Sequence, residues 1–542
     1  MRSFILALFV AAVFLTLLMS ESVAPPAIDQ GSVVNAASRI PSTLPAGSLA
    51  RGSRIVIRGL RMGPQARVRI AQQQGQAIEA PVVQADDERL EALIPAAAVT
   101  SAATLTVIRG NQQSRPYPIN IVESSLGLFS ANGRGWGPAG RPNTSSAGNP
   151  AFAPGATVTL WATGLGNARE VRITAGGISA PARAVERGTD GVDRIEFRLP
   201  PEVPSGCYVP VQAEAAGIPT NVVTVAVARA GESCAVADPW FTKQSHPGGR
   251  TGWIVLMRSK VRLELMAGKR VDFTVDSAIG SFHQEPAQAE QHLTPFELIP
   301  PVGSCTTYSA RLDLDAMVLP ALVRQNVAGR DLNLGPRVEA EAHSRNSLDA
   351  GASFTVTGRN GVQKVERAVR PPHVYTAVLG GNPPFTRIEP KPLFLAPGRF
   401  QIALPGGADL PSTSATVDVS RSIEWMNEKQ AALIARSRGI TLTWRATNEH
   451  AYVPIAAVNV DRTNSVAGVC VCLAEAGSGH FTIPAQSLRN IPATPAAGSD
   501  LEMGFMAIGE APGSAPERLD WKSIDSGFAL FVSMAGRTVR FE

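Results

Sequence analysis

Residues 155–173 read GATVTLWATGLGNAREVRI, and residues 52–70 read GSRIVIRGLRMGPQARVRI. Gly52 answers to Gly155, Gly63 to Gly166, and Val68-Arg69-Ile70 to Val171-Arg172-Ile173, all at one offset (155 minus 52, or 103 residues). That offset is about one domain length. The chain of 542 residues is too long for a single hydrophobic core, so the duplication sets the architecture: consecutive domains, at least two of them alike.

The pattern inside the repeats is that of β-strands. Ile195, Phe197 and Leu199 alternate with Arg194, Glu196 and Arg198, which places one face in a core and the other in water. Val158 with Leu160, Val209 with Val211, and Ile55 with Ile57 keep the same period of two, and Gly or Pro punctuates each run. Alternation continues through Val261-Leu263-Leu265, Val271-Phe273-Val275, Phe400-Ile402-Leu404, Leu442-Trp444 and Val469-Val471-Leu473. The expected fold class is all-β, a multi-domain chain of tandem immunoglobulin-like antiparallel β-sandwiches. The expected divisions are 1–29 (signal peptide or anchor), sandwiches at 30–124 and 125–235, a β-rich module with a long loop at 236–335, an Ig-like module at 336–420, and a β module at 421–542. A short helix is expected over Leu312 to Val323, and strands rather than helix between Ser422 and Arg438.

The turn Gly164-Leu165-Gly166, and less faithfully Gly59-Leu60-Arg61-Met62-Gly63, resembles the turn that ends the first strand of IPT/TIG-type immunoglobulin-like domains. The stretches VVNAASRIPSTLPAGSLARGSRIVIRG (33–59) and PSGCYVPVQAEAAGIPTNVVTVAVARAGESC (204–234) further resemble a family of exported acidobacterial proteins. The likeness covers about Gly31 to Asp238, with a weaker echo in GHFTIPAQSLRNIPA (479–493). It implies tandem sandwiches and export; that family brings no established activity with it.

Export is also read from the N-terminus. Arg2 precedes an apolar run from Phe4 to Met19 broken only by Thr16, and Ser22-Val23-Ala24 has the spacing of a cleavage site. Pro25 directly after the cut is unfavourable, which leaves open a membrane tether through residues 4–19. The expected location is extracellular, periplasmic or cell-surface. A net charge of +5 is spread rather than striped, with Arg194, Glu196 and Arg198 alternating, so nucleic acid is not an expected partner.

An exported chain with five cysteines permits disulfides. Cys207 opens a strand that turns near Gly217, and Cys234 lies just past the returning strand, so Cys207–Cys234 is the expected bridge. Cys470 and Cys472 share one face of a strand and read as two small buried side chains; Cys305 reads as buried or bridged. Among residues with metal-binding chemistry, His283, Glu285, Glu290 and His292 crowd one segment, but the spacing is not H-E-x-x-H and Pro286 interrupts any helix. They stand as weak metal candidates, and no cofactor is expected. Trp136, set amid Gly and Pro in NGRGWGPAGRPN, is the candidate ligand contact. These readings favour a non-catalytic secreted or cell-surface scaffold that binds an extracellular protein or polysaccharide. The competing reading is a secreted hydrolase or metal-dependent enzyme with its site in residues 240–345.

Overall fold

The computed structural model describes residues 24–72, 76–142, 150–234, 248–264, 270–284, 299–311, 346–368, 374–384, 389–495, 504–515, 519 and 524–542. Among them the chain is built almost wholly of strands. Helix is limited to the short 3-10 turns Pro45–Gly47, Glu428–Ala432 and Ala476–Ser478 and to one α-helical turn, Ala485–Leu488.

The first repeat is a sandwich of two sheets. One contains Ala27–Ile28, Arg54–Leu60, Arg89–Leu93 and Val82–Ala85; the other contains Leu49–Ala50, Tyr117–Val122, Ala102–Arg109, Arg67–Gln72 and Ile78–Ala80. In Arg67–Gln72 the arginines face out while Val68 and Ile70 are buried, which is the period of two read from the sequence. Ile55, Ile57, Leu90, Leu105, Val107 and Ile121 complete the core.

The second repeat follows the same path with a different closure. Its seven strands form one sheet in the order Gly127–Leu128, Thr157–Thr163, Asp193–Arg198, Ile178–Glu186, Val171–Ala175, Gly206–Ala215, Ile218–Val227. Instead of two separate sheets, this sheet curls around a single core that includes Leu160, Ile173, Ile195, Phe197 and Val211. Ile178–Glu186 makes the curl: its first half pairs with Val171–Ala175, its second with Asp193–Arg198, and a register shift between Ala182 and Ala184 bends it. The Asn221 side chain closes the seam, accepting from Leu128 N and donating to Leu128 O, both at 2.8 Å.

Buried polar groups lock the repeats together. Asn35, with no solvent exposure, donates to Ser125 O (3.1 Å) and Thr163 O (3.4 Å) and accepts from Ala37 N and Ser38 N. Arg54 N donates to Thr163 Oγ1 (2.8 Å). Val56 on the first repeat packs with Phe129, Val192 and Trp161 of the second.

Beyond residue 248 the three successive modules expected over 236–335, 336–420 and 421–542 are interleaved in one fourteen-stranded sheet. Arg250–Glu264 pairs antiparallel with Arg270–Gln284 and in parallel with Ser526–Phe541, so a hairpin from the first expected module sits between strands of the other two. Ile254, Leu256, Ala278 and Phe282 fill one core with residues 348–419 and with Leu519, Ile524, Ala529 and Phe531, whereas Ser304–Arg311 flanks a second core built from residues 423–508 with Ala535, Val539 and Phe541. Between Ser422 and Arg438, only Glu424–Trp425 and Leu433–Ile434 are strands, on either side of the 3-10 turn. Asn427 diverts the backbone there: its Oδ1 accepts from Trp425 Nε1 and Thr443 N, and its Nδ2 donates to Thr441 O. The segment Leu312 to Val323 lies outside the described residues, as do residues 4–19; among the described residues no helix is long and apolar enough to cross a membrane.

Candidate functional site

Of the four weak metal candidates only His283 lies among the described residues. It sits in the strand Arg270–Gln284, buried, opposite Thr251 on one side and Ser347 on the other. Glu285, Glu290 and His292 lie outside the described residues.

The cysteines assemble in a way that spacing does not reveal. Cys207 and Cys234 are bridged, with Cα atoms 4.9 Å apart. A second bridge joins Cys305 to Cys472, which face each other in register across Ser304–Arg311 and Val466–Glu475. Cys472 is therefore not the simple buried thiol that the C-x-C spacing implies; its partner lies 167 residues away, and no local pattern marks it. Cys470 keeps a free thiol 3.8 Å from Cys472 Sγ, and burial pushes that thiol up to about 12 against a hydrogen bond with Thr307. The three sulfurs lie within 4.8 Å of one another. With two of them bonded to each other, only one thiol donor is left, which is too few for a metal.

Trp136 is half-buried rather than displayed. Its ring meets Tyr308 edge-on at 5.9 Å, beside Tyr208, and the Arg134 guanidinium lies 5.8 Å from its centroid. Glycine near it serves close approach: a Cβ on Gly135 would meet Ser38 O at 2.2 Å. Trp136 thus stands where the second repeat meets the C-terminal sheet. The contact continues through Asn490 Nδ2 to Thr220 O (3.0 Å), Arg489 Nη1 to Gly217 O (3.1 Å), and a cluster of Ile40, Leu44, Val466 and Ile218. The stretch 479–493, a faint echo of the repeats in sequence, supplies part of this dock.

The second repeat carries an open groove of about 660 Å³. Its floor is the outer face of the sheet, where Pro181, Arg172 and Glu214 are aligned across three strands. Its walls are the turn carrying Arg169 and Glu170 and the hairpin turn at Ala216-Gly217. Ala216 holds a left-handed backbone (φ 51°), and Arg489 reaches Glu214 at 3.5 Å from the C-terminal sheet. Charges of both signs line the groove, Val185 adds an apolar patch, and no aromatic ring is among its described lining residues. Sequence reasoning missed it, because its walls are 46 residues apart along the chain (Ala216 against Glu170) and no motif marks them.

No family model matches the chain, and no curated protein matches it. Among solved structures it is similar to γ-CGTase from an alkalophilic Bacillus clarkii (12% identity, 36% of this chain and 23% of that one, TM-score 0.15). It is also similar to SGBP-B of the Bacteroides ovatus mixed-linkage glucan utilization locus in complex with a mixed-linkage heptasaccharide (13% identity, 50% and 71%, TM-score 0.22). A third is surface layer protein SbsC, domains 4–9 (10% identity, 94% and 65%, TM-score 0.20). The chain spans under a quarter of the CGTase it matches, and TM-scores this low bear on neither the fold nor the function of this chain.

Proposed function

We propose that this chain is an exported, non-catalytic scaffold, displayed at the cell surface or secreted, whose two N-terminal repeats are IPT/TIG-like and which binds an extracellular partner through the groove on the second repeat. The apolar run after Arg2 supports export. The paired turns Gly164-Leu165-Gly166 and Arg61-Met62-Gly63, each placing a buried apolar residue between two left-handed ones, support the domain type. The observation that carries the binding role is the groove itself: an open, preformed concavity on a sheet face, with Arg169, Arg172, Glu170 and Glu214 placed around an apolar patch. Mixed charge without an aromatic stacking platform suits an extended peptide segment of a protein better than a neutral polysaccharide. The test is capture from extracellular fractions by the full chain and by Ser179→Trp, whose ring would fill the groove from an exposed position. Loss of one specific partner in the variant supports the groove; equal capture by both chains removes it as the binding site.

A further inference from the structure

A second surface, on the first repeat, is assembled from three arginines. Arg58 and Arg89 stand directly opposite each other on adjacent antiparallel strands, so their side chains leave the sheet on the same face. Like charges in that position destabilise a sheet unless something lies between them. Arg39 brings a third guanidinium from the lead-in loop. Its backbone is left-handed (φ 55°), and its Nε donates to Gly133 O at 3.2 Å. Burial is the main influence on Arg39 and the charges of Arg89 and Arg58 come next, which together draw its pKa down to about 10. The carboxylate that acts on Arg39 is the buried Glu91, already bonded to Arg89 Nη2, and Asp86 Oδ1 accepts from the Arg89 backbone N–H. Arg89 Nε is sealed from solvent with no acceptor, and Arg58 makes no ion pair among the described residues.

We propose that Arg39, Arg58 and Arg89 form a binding site for a tetrahedral oxyanion, a sulfate or phosphate, free or carried as a substituent on a polysaccharide. Guanidinium groups carried by a loop and two adjacent strands offer planar donor pairs to such an anion, and the anion neutralises the cross-strand repulsion. The site is independent of the groove on the second repeat.

Isothermal titration calorimetry on the full chain at constant ionic strength in chloride tests it, with sodium sulfate, sodium phosphate and a sulfated oligosaccharide as probes. Arg58→Gln is the site variant, because the side chain is exposed. Arg67→Gln is the control, an exposed arginine of the same repeat paired with Glu79. The expected result is saturable binding near one per chain, weakened at least tenfold by Arg58→Gln and unchanged by Arg67→Gln. Tighter binding of the oligosaccharide than of the free ions assigns the site to a polysaccharide substituent, and the reverse order to the ion itself. No saturable heat with any probe, or equal weakening by both variants, overturns the proposal. Thermal unfolding gives a second reading: in chloride alone Arg58→Gln unfolds at a higher temperature than the natural chain, and a lower one contradicts the repulsion on which the site rests.

Discussion

The two repeats trace one backbone with different side chains, and the positions where they differ separate what the fold requires from what each packing demands. At the end of the first strand, the second repeat has Gly164 (φ 90°), buried Leu165 and Gly166 (φ 54°). The first has Arg61 (φ 58°), buried Met62 and Gly63 (φ 78°). The left-handed, buried, left-handed sequence is common to both, so the fold dictates the conformation. Glycine is compulsory only where the second repeat backs onto the first: a Cβ on Gly164 would meet Ser125 O at 2.3 Å, and one on Gly166 would meet Glu123 O at 1.6 Å. Arg61 has no such neighbour and sends its Nε to Pro25 O. A second difference lies in the strand that crosses between sheets: it runs unbroken through Pro181 as Ile178–Glu186 in the second repeat, whereas in the first it is divided at the equivalent Pro81 into Ile78–Ala80 and Val82–Ala85, and the sandwich there stays two sheets, so the shared proline does not itself make the difference.

The sharpest way to break the comparison is Gly166→Ala set beside Gly63→Ala. Both add a Cβ to a left-handed residue, which costs about 1–2 kcal/mol. At Gly63 the nearest atom is the flexible Arg109 Cδ at 2.9 Å, whereas at Gly166 it is backbone that cannot move aside. Urea unfolding is expected to show a loss of about 4 kcal/mol for Gly166→Ala and about 1–2 kcal/mol for Gly63→Ala. Equal losses would mean that backbone conformation alone explains both glycines. Asn221→Ala is the next largest. It leaves the N–H and C=O of Leu128 and the carbonyl of Gly135 without their buried partner, a loss of about 2–3 kcal/mol. Hydrogen exchange at Leu128 should rise with it, since the seam of the second repeat opens there, while amides of the first repeat keep their protection.

The information that the amino-acid sequence carries openly is local. Val68 and Ile70, or Ile195 and Phe197, announce their buried face because side-chain direction alternates within a strand, whatever the strand pairs with. Pairing partners are not local. Arg258 lies opposite Asp276 within a hairpin but also beside Ser533, and nothing in either segment encodes the second neighbour, so the three expected modules share one sheet. Cys305 and Cys472, and the walls of the groove, are hidden for the same reason. Trp136 misleads in another way: its glycine-rich setting reads as an exposed loop, but Gly135 is there to let the segment press against Ser38.

A pH experiment sharpens the comparison where burial differs. The position of the exposed Glu88 in the first repeat is taken in the second by Asp193, buried, with Oδ2 accepting from Leu165 N at 3.0 Å. Burial raises the Asp193 carboxyl above the usual carboxylate range, and the backbone N–H donors of Leu165 and Gly188 oppose it in part. A raised value means that the folded chain binds this proton more tightly than the unfolded chain. The resulting stabilisation is complete below the ordinary carboxylate value and is lost as pH rises through the folded one. Asp193→Asn, which keeps an acceptor for Leu165, should therefore gain stability relative to the natural chain as pH rises from about 4 to 7. Urea midpoints that stay parallel across that range would show that Asp193 does not titrate with folding.

The smallest effect tests whether Arg61 is tolerated or costly. Arg61→Gly relieves about 1 kcal/mol of left-handed strain, but glycine also widens the unfolded ensemble by about 0.5–1 kcal/mol, and the exposed hydrogen bond to Pro25 O goes with the side chain. These contributions nearly cancel, so the unfolding midpoint should shift by no more than the equivalent of about 0.5 kcal/mol in either direction. The reciprocal change, Gly164→Arg, places a side chain against Ser125 O and Asn35 Nδ2 and should unseat the second repeat from the first. If the two swaps proved equally mild, the Asn35 junction would have room for a side chain, and the contrast between the repeats would come from sequence drift rather than from their packing.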